Sequence, residues 1–442
     1  MNFKIYIILL CLIFYPQLGY NDELAYQTID EYDEFEELDF YEHIRNIVIV
    51  QPEFIESVSK QNEINEDRKF ASRSRFPSIT ASLINDKSLK RDVDDFLSLR
   101  KRQDDSFDGV ITVDQPLYLG NKINSQVNIA KAKLKKSKEE LNEVASNLIV
   151  NAVEIYLTAL KSDIISTFAE NELIKLLVFK DQVNARFQAG AADSSEKALV
   201  NVRLSELEAS EAILKSKKIQ NLAVYEAFFK KPFENLGLPK IKLNNVLESN
   251  IYNAFVGMSY QEKIAKIEIE SQESHVELTK SSYRPQLGMS FRFTKYDLDD
   301  DEIKDEDLRG GIYFSVPLIN FGRASAEINS AKARLNQSKI LYSQSSRDSD
   351  YQKASVLGNI IGLNEARKKI LSSLDNIRLQ KETLQLRLSS GANFTAIALI
   401  DATVQEIDLL NQLLDTEQSL LISELQANHL NTNLIQRFKI SF

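Results

Sequence analysis

Gln115-Pro116-Leu117-Tyr118-Leu119-Gly120-Asn121-Lys122 is echoed by Val316-Pro317-Leu318-Ile319-Asn320-Phe321-Gly322-Arg323, and the step from Pro116 to Pro317 is 201 positions. Two further pairs surround it. Arg186-Phe187-Gln188-Ala189-Gly190-Ala191 returns as Arg387-Leu388-Ser389-Ser390-Gly391-Ala392, again at 201, and Phe76-Pro77-Ser78-Ile79 returns as Arg284-Pro285-Gln286-Leu287 at 208. Three markers in one order at nearly one spacing describe two tandem copies of a single structural unit. Each copy reads as a lead-in helix, a two-stranded hairpin, a very long helix, a tight turn and a returning helix.

The long helices declare themselves by period. Leu134, Leu141, Ala145, Leu148, Ala152, Ile155 and Ala159 fall on a heptad grid, the pattern of helices packed as in a coiled coil. Neither Pro nor Gly occurs between Lys122 and Ala189, so an unbroken helix there would run about 100 Å, too long for the inside of an ordinary globule. Gly190 and Gly391 suit the left-handed residue just past a helix end. Asp193, Ser194 or Ser195 can cap the first return helix, and Asn393 or Thr395 the second. Many grid positions hold small residues, such as Ser162, Ser166 and Ala169, which let helices approach closely.

Composition agrees. The 442 residues include only 13 Gly and 8 Pro, well below average usage, as a chain of long uninterrupted elements requires. A net charge of -10 argues against a general nucleic-acid binder, whose surface needs clustered Lys and Arg. The single cysteine, Cys11, excludes a disulfide framework and a thiolate metal site. His43, His275 and His429 are far apart in sequence, and no nucleophile elbow, phosphate loop or zinc spacing occurs. Neither enzymatic activity nor a cofactor or metal site is expected.

Lys4 followed by the apolar run of residues 5–14 reads as a secretory leader ending near Gly19; the run is too short to span a bilayer. Residues 20–42 form an acidic N-terminal tail. The first repeat is assigned to residues 43–232, an intervening segment to 233–250, the second repeat to 251–435 and a C-terminal tail to 436–442.

The predicted strands alternate. Met289, Phe291 and Phe293 oppose Ser290, Arg292 and Thr294, while Ile312, Phe314 and Val316 oppose Tyr313 and Ser315; residues 76–84 and 107–117 do the same more weakly. In an exported chain such an apolar face can meet lipid while the polar face lines water, and 9–11 residues suffice for a tilted span. Long charged loops are expected at residues 86–106 and 297–309. Lipid tolerates no open sheet edge and four strands cannot close a barrel. Spanning strands therefore require pooled copies: two would give eight strands, three would give twelve.

The order of elements, the Pro-Leu segments closing each hairpin at Pro116–Gly120 and Pro317–Gly322, and the Arg-to-Gly turns resemble the TolC family of outer-membrane efflux and secretion channels. Tyr283-Arg284-Pro285-Gln286-Leu287 resembles that family's approach to a strand, and Gln51-Pro52-Glu53-Phe54 the opening of its lead-in helix. The resemblance covers residues 43 to 435. It implies an α+β chain of mostly long helices, the tandem-repeat protomer of a homotrimer with a 12-stranded transmembrane β-barrel continued by a periplasmic α-helical tunnel. It further implies docking to a periplasmic adaptor protein and an inner-membrane transporter, an outer-membrane location, and residues 233–250 in an equatorial belt. The family often carries acids after the second helical turn. Here Ala398-Leu399-Ile400-Asp401-Ala402 keeps only Asp401, while Asp193 and Glu196 lie near the matching place in the first copy. Repeated around an axis, these candidate constriction acids would favour cations. The alternative from another class is a secreted coiled-coil adaptor or structural protein with soluble β-domains.

Overall fold

The computed structural model describes residues 38–87, 105–188, 194–237, 239, 255, 257–296, 298, 306–389 and 395–441. Within the unit Asp39–Phe442 the elements follow the repeat. The first copy comprises α2 (Pro52–Arg73), β1 (Ser78–Lys87), β2 (Asp105–Leu119), α3 (Lys122–Gln188) and α4 (Ser194–Phe229); the second comprises α5 (Tyr260–Ser281), β3 (Gln286–Lys295), β4 (Glu306–Ser315), α6 (Arg323–Ser389) and α7 (Thr395–Leu430). Short helices α1 (Leu38–Val48) and α8 (Leu434–Arg437) flank them. The correspondence is residue for residue. α2 and α5 both have 22 residues, α3 and α6 both 67, and α4 and α7 both 36. Lead-in helices and first strands are related by 208 positions, the long and return helices and second strands by 201.

Local chemistry fixes the helix starts. Pro52 opens α2 at a position where its missing N–H is no loss. α5 has a capping box: Ser259 Oγ accepts from the Glu262 N–H, and the Glu262 carboxylate accepts from the Ser259 N–H at 2.7 Å. The same carboxylate accepts from Ser349 Oγ at 2.9 Å and lies 3.5 Å from Lys353 Nζ, which ties the cap of α5 to α6.

α3 lies between neighbours on two sides. It packs on α2 and α5 towards its beginning and on α4 and α7 towards its end. Its buried surface is therefore wider than one heptad seam: Leu141, Ala145, Ala152 and Ala159 of the grid are buried, and so are Ile149, Val153, Tyr156, Leu157 and Leu160 beside them. One apolar cluster joins α3, α4 and α7 through Ile165, Ala169, Leu176, Leu204, Leu399, Ile400 and Ile407. α6 packs chiefly on α5 and α7, and it also carries exposed Ile340, Tyr351, Ile361, Leu379 and Leu386.

Residues 38–42, given to the acidic tail in the sequence reading, open α1, and Phe40, Ile44 and Val48 are buried. At the other terminus Phe438 and Ile440 are buried, with Phe438 4.8 Å from Tyr41 ring to ring. Both ends of the unit are held by aromatic packing that composition did not signal.

The four strands form one antiparallel sheet in the order β1-β2-β3-β4. The hairpins share a register. Ser78 faces Asp114 in the first and Gln286 faces Ser315 in the second, equivalent positions in the two copies. β2 joins β3 with Asp114 opposite Ser290 and a bulge between Pro116 and Tyr118. Both hairpins run further into the expected loops than the sequence indicated: Asp105 and Glu306 are already paired, because cross-strand hydrogen bonds satisfy a charged residue's backbone as well as any other. Residues 88–104, 297 and 299–305 of those loops lie outside the described residues.

Candidate functional site

The sheet has one apolar face. Ile79, Ala81 and Leu83 of β1 lie beside Ile111 and Val113 of β2, then Met289, Phe291 and Phe293 of β3, then Leu308, Ile312 and Phe314 of β4. Ser82, Thr112, Asp114, Ser290, Arg292 and Arg309 lie on the other face. The apolar face is uncovered: Leu83 is 70% exposed and Ile312 71%, and every residue of β1 is exposed. A soluble sheet would bury such a face against a core. No described helix is long and apolar enough to cross a membrane.

The junctions below the sheet need two consecutive residues with positive φ. In the first copy these are Gly120 and Asn121 (φ 61 and 75); in the second they are Phe321 and Gly322 (φ 46 and 85). The equivalent of Gly120 is thus Phe321 rather than Gly322. A Cβ on Gly120 would stand 2.6 Å from the Ser281 carbonyl oxygen and 2.8 Å from Arg284 Cβ, because the α5–β3 corner packs against this turn. A Cβ on Gly322 would meet nothing within 4 Å. Pro116 is paired with Gly288 in the sheet, whereas Pro317 follows the end of β4.

Of the expected constriction acids, Asp193 lies outside the described residues, as do the turn glycines Gly190 and Gly391. Glu196 falls in the first turn of α4. Asp401 is half-exposed on α7, and its carboxylate lies 3.4 Å from Nε of Arg203 on α4. Arg203 also donates to Glu206 at 2.9 Å. These two acids raise the Arg203 pKa, the Glu206 hydrogen bond contributing most and Asp401 next. Asp401 is therefore a paired acid joining the two return helices.

A second charged group was not foreseen. Glu172 of α3 and Glu406 of α7 are only 4% and 5% exposed, and Lys381 of α6 lies between them, bonded to both carboxylates, at 2.6 Å from Glu406. Lys175 bonds Glu172 at 2.7 Å and Arg378 bonds Glu406 at 3.1 Å. Burial pushes the Glu172 carboxyl up, but the lysine hydrogen bonds outweigh it and hold its pKa below the ordinary carboxylate value. In sequence each member is one more helical charge, and nothing in the spacing brings 172, 381 and 406 together.

The histidines serve packing. His43 Nε2 pairs with Tyr225 OH at 2.7 Å and stacks on Phe229; burial pushes the Tyr225 phenol up to about 12. Tyr156 OH accepts from the Leu236 N–H and donates to the Gly237 carbonyl, fixing the start of the intervening segment. His429 is half-buried with Nδ1 2.7 Å from Ser146 Oγ. His275 lines a shallow cleft with Asp67 and Lys133. Among the described residues no group of His, Cys, Asp or Glu could hold a metal ion.

Comparison with known proteins meets this geometry. Residues 51–223 match the family model described as outer membrane efflux protein. No curated protein matches significantly. Among solved structures the chain is similar to the outer membrane protein VceC of Vibrio cholerae, with TM-score 0.72 and 13% identity over 89% of this chain and 96% of that one. It is similar to the Campylobacter jejuni CmeC outer membrane channel, with TM-score 0.72 and 12% identity over 89% and 86%. It is similar also to the open state of the Neisseria gonorrhoeae MtrE outer membrane channel, with TM-score 0.68 and 12% identity over 89% and 88%. The resemblance to outer membrane efflux proteins read from the sequence thus holds, by family model over most of the first repeat and by fold over both.

Proposed function

We propose that three copies of this chain form an outer-membrane duct, each contributing four strands to a 12-stranded barrel and its long helices to a tunnel that continues into the periplasm. One observation carries the reading: a four-stranded sheet with an uncovered apolar face, a polar opposite face and two edges, β1 and β4, that pair with no further strand among the described residues. Lipid satisfies the first, a water-filled bore the second, and ring closure the third. The strands are those that cross, and the helices stay in water. Twelve strands leave an open bore where eight would be filled by side chains.

The duct is passive and performs no chemistry of its own. An inner-membrane transporter, joined through a periplasmic adaptor protein, supplies the energy and hands over solutes, as in efflux, or polypeptides, as in type I secretion. Opening is a rearrangement of the helices near the turns after α3 and α6, a shift between two packings that partner binding biases. Asp401, with Glu196 and Asp193, supplies the acidic character of that end, tempered by Arg203.

Membrane fractionation of the producing cell tests the location, with the protein expected in the outer-membrane fraction and released by detergent. Deletion of the gene tests the transport: a deletion strain should become more sensitive to exported toxic compounds or fail to secrete a polypeptide. A chain recovered in buffer without detergent, whose deletion changes neither, refutes the reading.

A further inference from the structure

Along the first part of α3, charges on adjacent helices pair. Lys60 of α2 meets Glu140, and Glu270 and Glu268 of α5 meet Lys135 and Lys136. One group of polar side chains does not follow this rule. Asp67 of α2, Gln126 and Lys133 of α3 and the ring of His275 of α5 line a single cleft of about 230 Å³, room for roughly eight waters. Among the described residues none of these four side chains makes a hydrogen bond or an ion pair within the chain. Asp67 and Lys133 carry opposite charges on one cleft without closing to ion-pair distance. The floor is apolar: Ile129 and Ala130 are buried, and Ile64 and Leu278 half-buried. His275 differs here from His43 and His429, whose rings are hydrogen-bonded. Burial and then Lys133 lower its pKa, Glu268 opposes them and Arg334 adds to them, so at pH 7 the neutral ring offers one donor and one acceptor.

The second copy shows that the fold does not require this arrangement. The repeat steps carry Ile64, Gln126 and Ile129 onto Gln272, Glu327 and Ser330. Gln272 donates to Glu268 at 2.9 Å, and Glu327 accepts from Arg323 at 3.0 Å and from the Tyr283 hydroxyl. Polar side chains that satisfy one another in the second copy are replaced in the first by an apolar floor with open polar groups around it, the composition of a small-molecule site. We infer that the cleft binds a small zwitterion with an apolar body, the simplest being a free α-amino acid with an apolar side chain. Its ammonium group meets Asp67 and its carboxylate meets Lys133. Gln126 and His275 supply further hydrogen bonds, and the side chain lies on Ile64, Ile129 and Leu278. Ligands of a single charge fit less well: a plain anion is repelled by Asp67, and a plain cation by Lys133. A phospholipid headgroup can carry the same two charges, but Ile129 and Lys133 lie seven and eleven residues past the start of α3. That is about 10 and 16 Å along the helix, beyond a headgroup layer about 5–8 Å deep. The cleft is complete within one chain, between α2, α3 and α5, so the inference stands apart from the duct proposed above.

The test is saturation-transfer NMR on the full chain in a non-ionic detergent. The probe is phenylalanine, and its single-charge analogues phenethylamine and 3-phenylpropionate are the comparison. Phenylalanine is expected to bind, and each analogue at least about fivefold more weakly. Asp67→Asn and Lys133→Gln change exposed, unpaired side chains and should leave the fold intact. Each should weaken phenylalanine at least about fivefold. Asp67→Asn should leave phenylpropionate no weaker than before, and Lys133→Gln should leave phenethylamine no weaker. Lys332→Gln, on the exposed surface of the second copy, should change nothing. No phenylalanine signal up to about 10 mM, or a signal undiminished in both charge variants, overturns the site. Phenylpropionate or phenethylamine binding as tightly as phenylalanine overturns the zwitterion assignment. Signals from phosphatidylethanolamine in mixed micelles that Lys133→Gln abolishes, with none from phenylalanine, give the cleft to lipid and overturn the free-ligand reading. None of these results bears on the duct.

Discussion

Lys381 is shared by two buried carboxylates from different repeats, and replacing it with Met separates its charge from its volume. The two hydrogen bonds it donates are charge-assisted, each worth about 1.5–3 kcal/mol. Removing one partner of a buried pair costs about 3–5 kcal/mol. Glu172 keeps Lys175 and Glu406 keeps Arg378, so the lower end applies: about 3 kcal/mol, or roughly two orders of magnitude in a local opening equilibrium. Native-state hydrogen exchange of the detergent-extracted protein should show faster exchange in α3 near 172, α6 near 381 and α7 near 406, and little change near β1 to β4. The effect has a pH signature. The Glu172 carboxyl is held below its ordinary pKa, so its contribution is present above the unfolded value and is lost as pH falls through the folded one. The difference between Lys381→Met and the parent protein should therefore be greatest at neutral pH and shrink below about pH 4.5. A triple variant, K381M/E172L/E406L, should recover most of the protection, since an apolar replacement of a buried ionic cluster is often neutral. Unchanged exchange in the single variant, or a triple variant worse than the single, would refute the assignment of this cluster as a clamp between α3, α6 and α7.

Three further outcomes follow from particular contacts. Gly120→Ala places a Cβ against the Ser281 carbonyl in a left-handed turn and should cost about 2 kcal/mol or more, read as a lower melting temperature, whereas Gly237→Ala, with φ 80 and open space around it, should cost about 1 kcal/mol. Burial lowers the pKa of His429, and burial reinforced by Lys231 lowers that of His43. Both are favoured neutral in the fold, so stability is full above about pH 6.5 and falls as pH drops below it; melting at pH 7.5 and 5.5 should show this, with a smaller difference in His429→Gln. Because Arg203 partly neutralises Asp401, Asp401→Asn should change the cation-to-anion permeability ratio by less than about twofold, while Arg203→Gln, which frees Asp401 and Glu206, should raise it further.

Much of this was legible because the repeat is written in turn chemistry. Pro77 and Pro285 precede the first strands, Pro116 sits at the bulge of β2 and Pro317 follows β4, places where only a few residue types fit. The long helices were legible because α3 lacks Pro and Gly, and the strands because Phe291 and Phe293 alternate with Arg292 and Thr294. The clamp was not legible, since Glu172, Lys381 and Glu406 meet only when three helices are packed. Nor was the burial of Phe40 and Phe438, which lie at the ends of the chain where composition suggests tails. The junction residues were legible from the 201-residue step, but their backbone was not: each turn needs two positive-φ residues, and Gly takes the first place in one copy and the second in the other.

The claim that the uncovered sheet closes with its copies around water is tested most directly by conductance. Protein extracted from outer membranes and added to a planar lipid bilayer should insert in discrete steps of uniform conductance, abolished when the apolar strand face is charged by Phe314→Asp and Leu83→Asp together. A purified, folded protein that leaves the bilayer silent while remaining a single chain in detergent-free buffer would contradict the account.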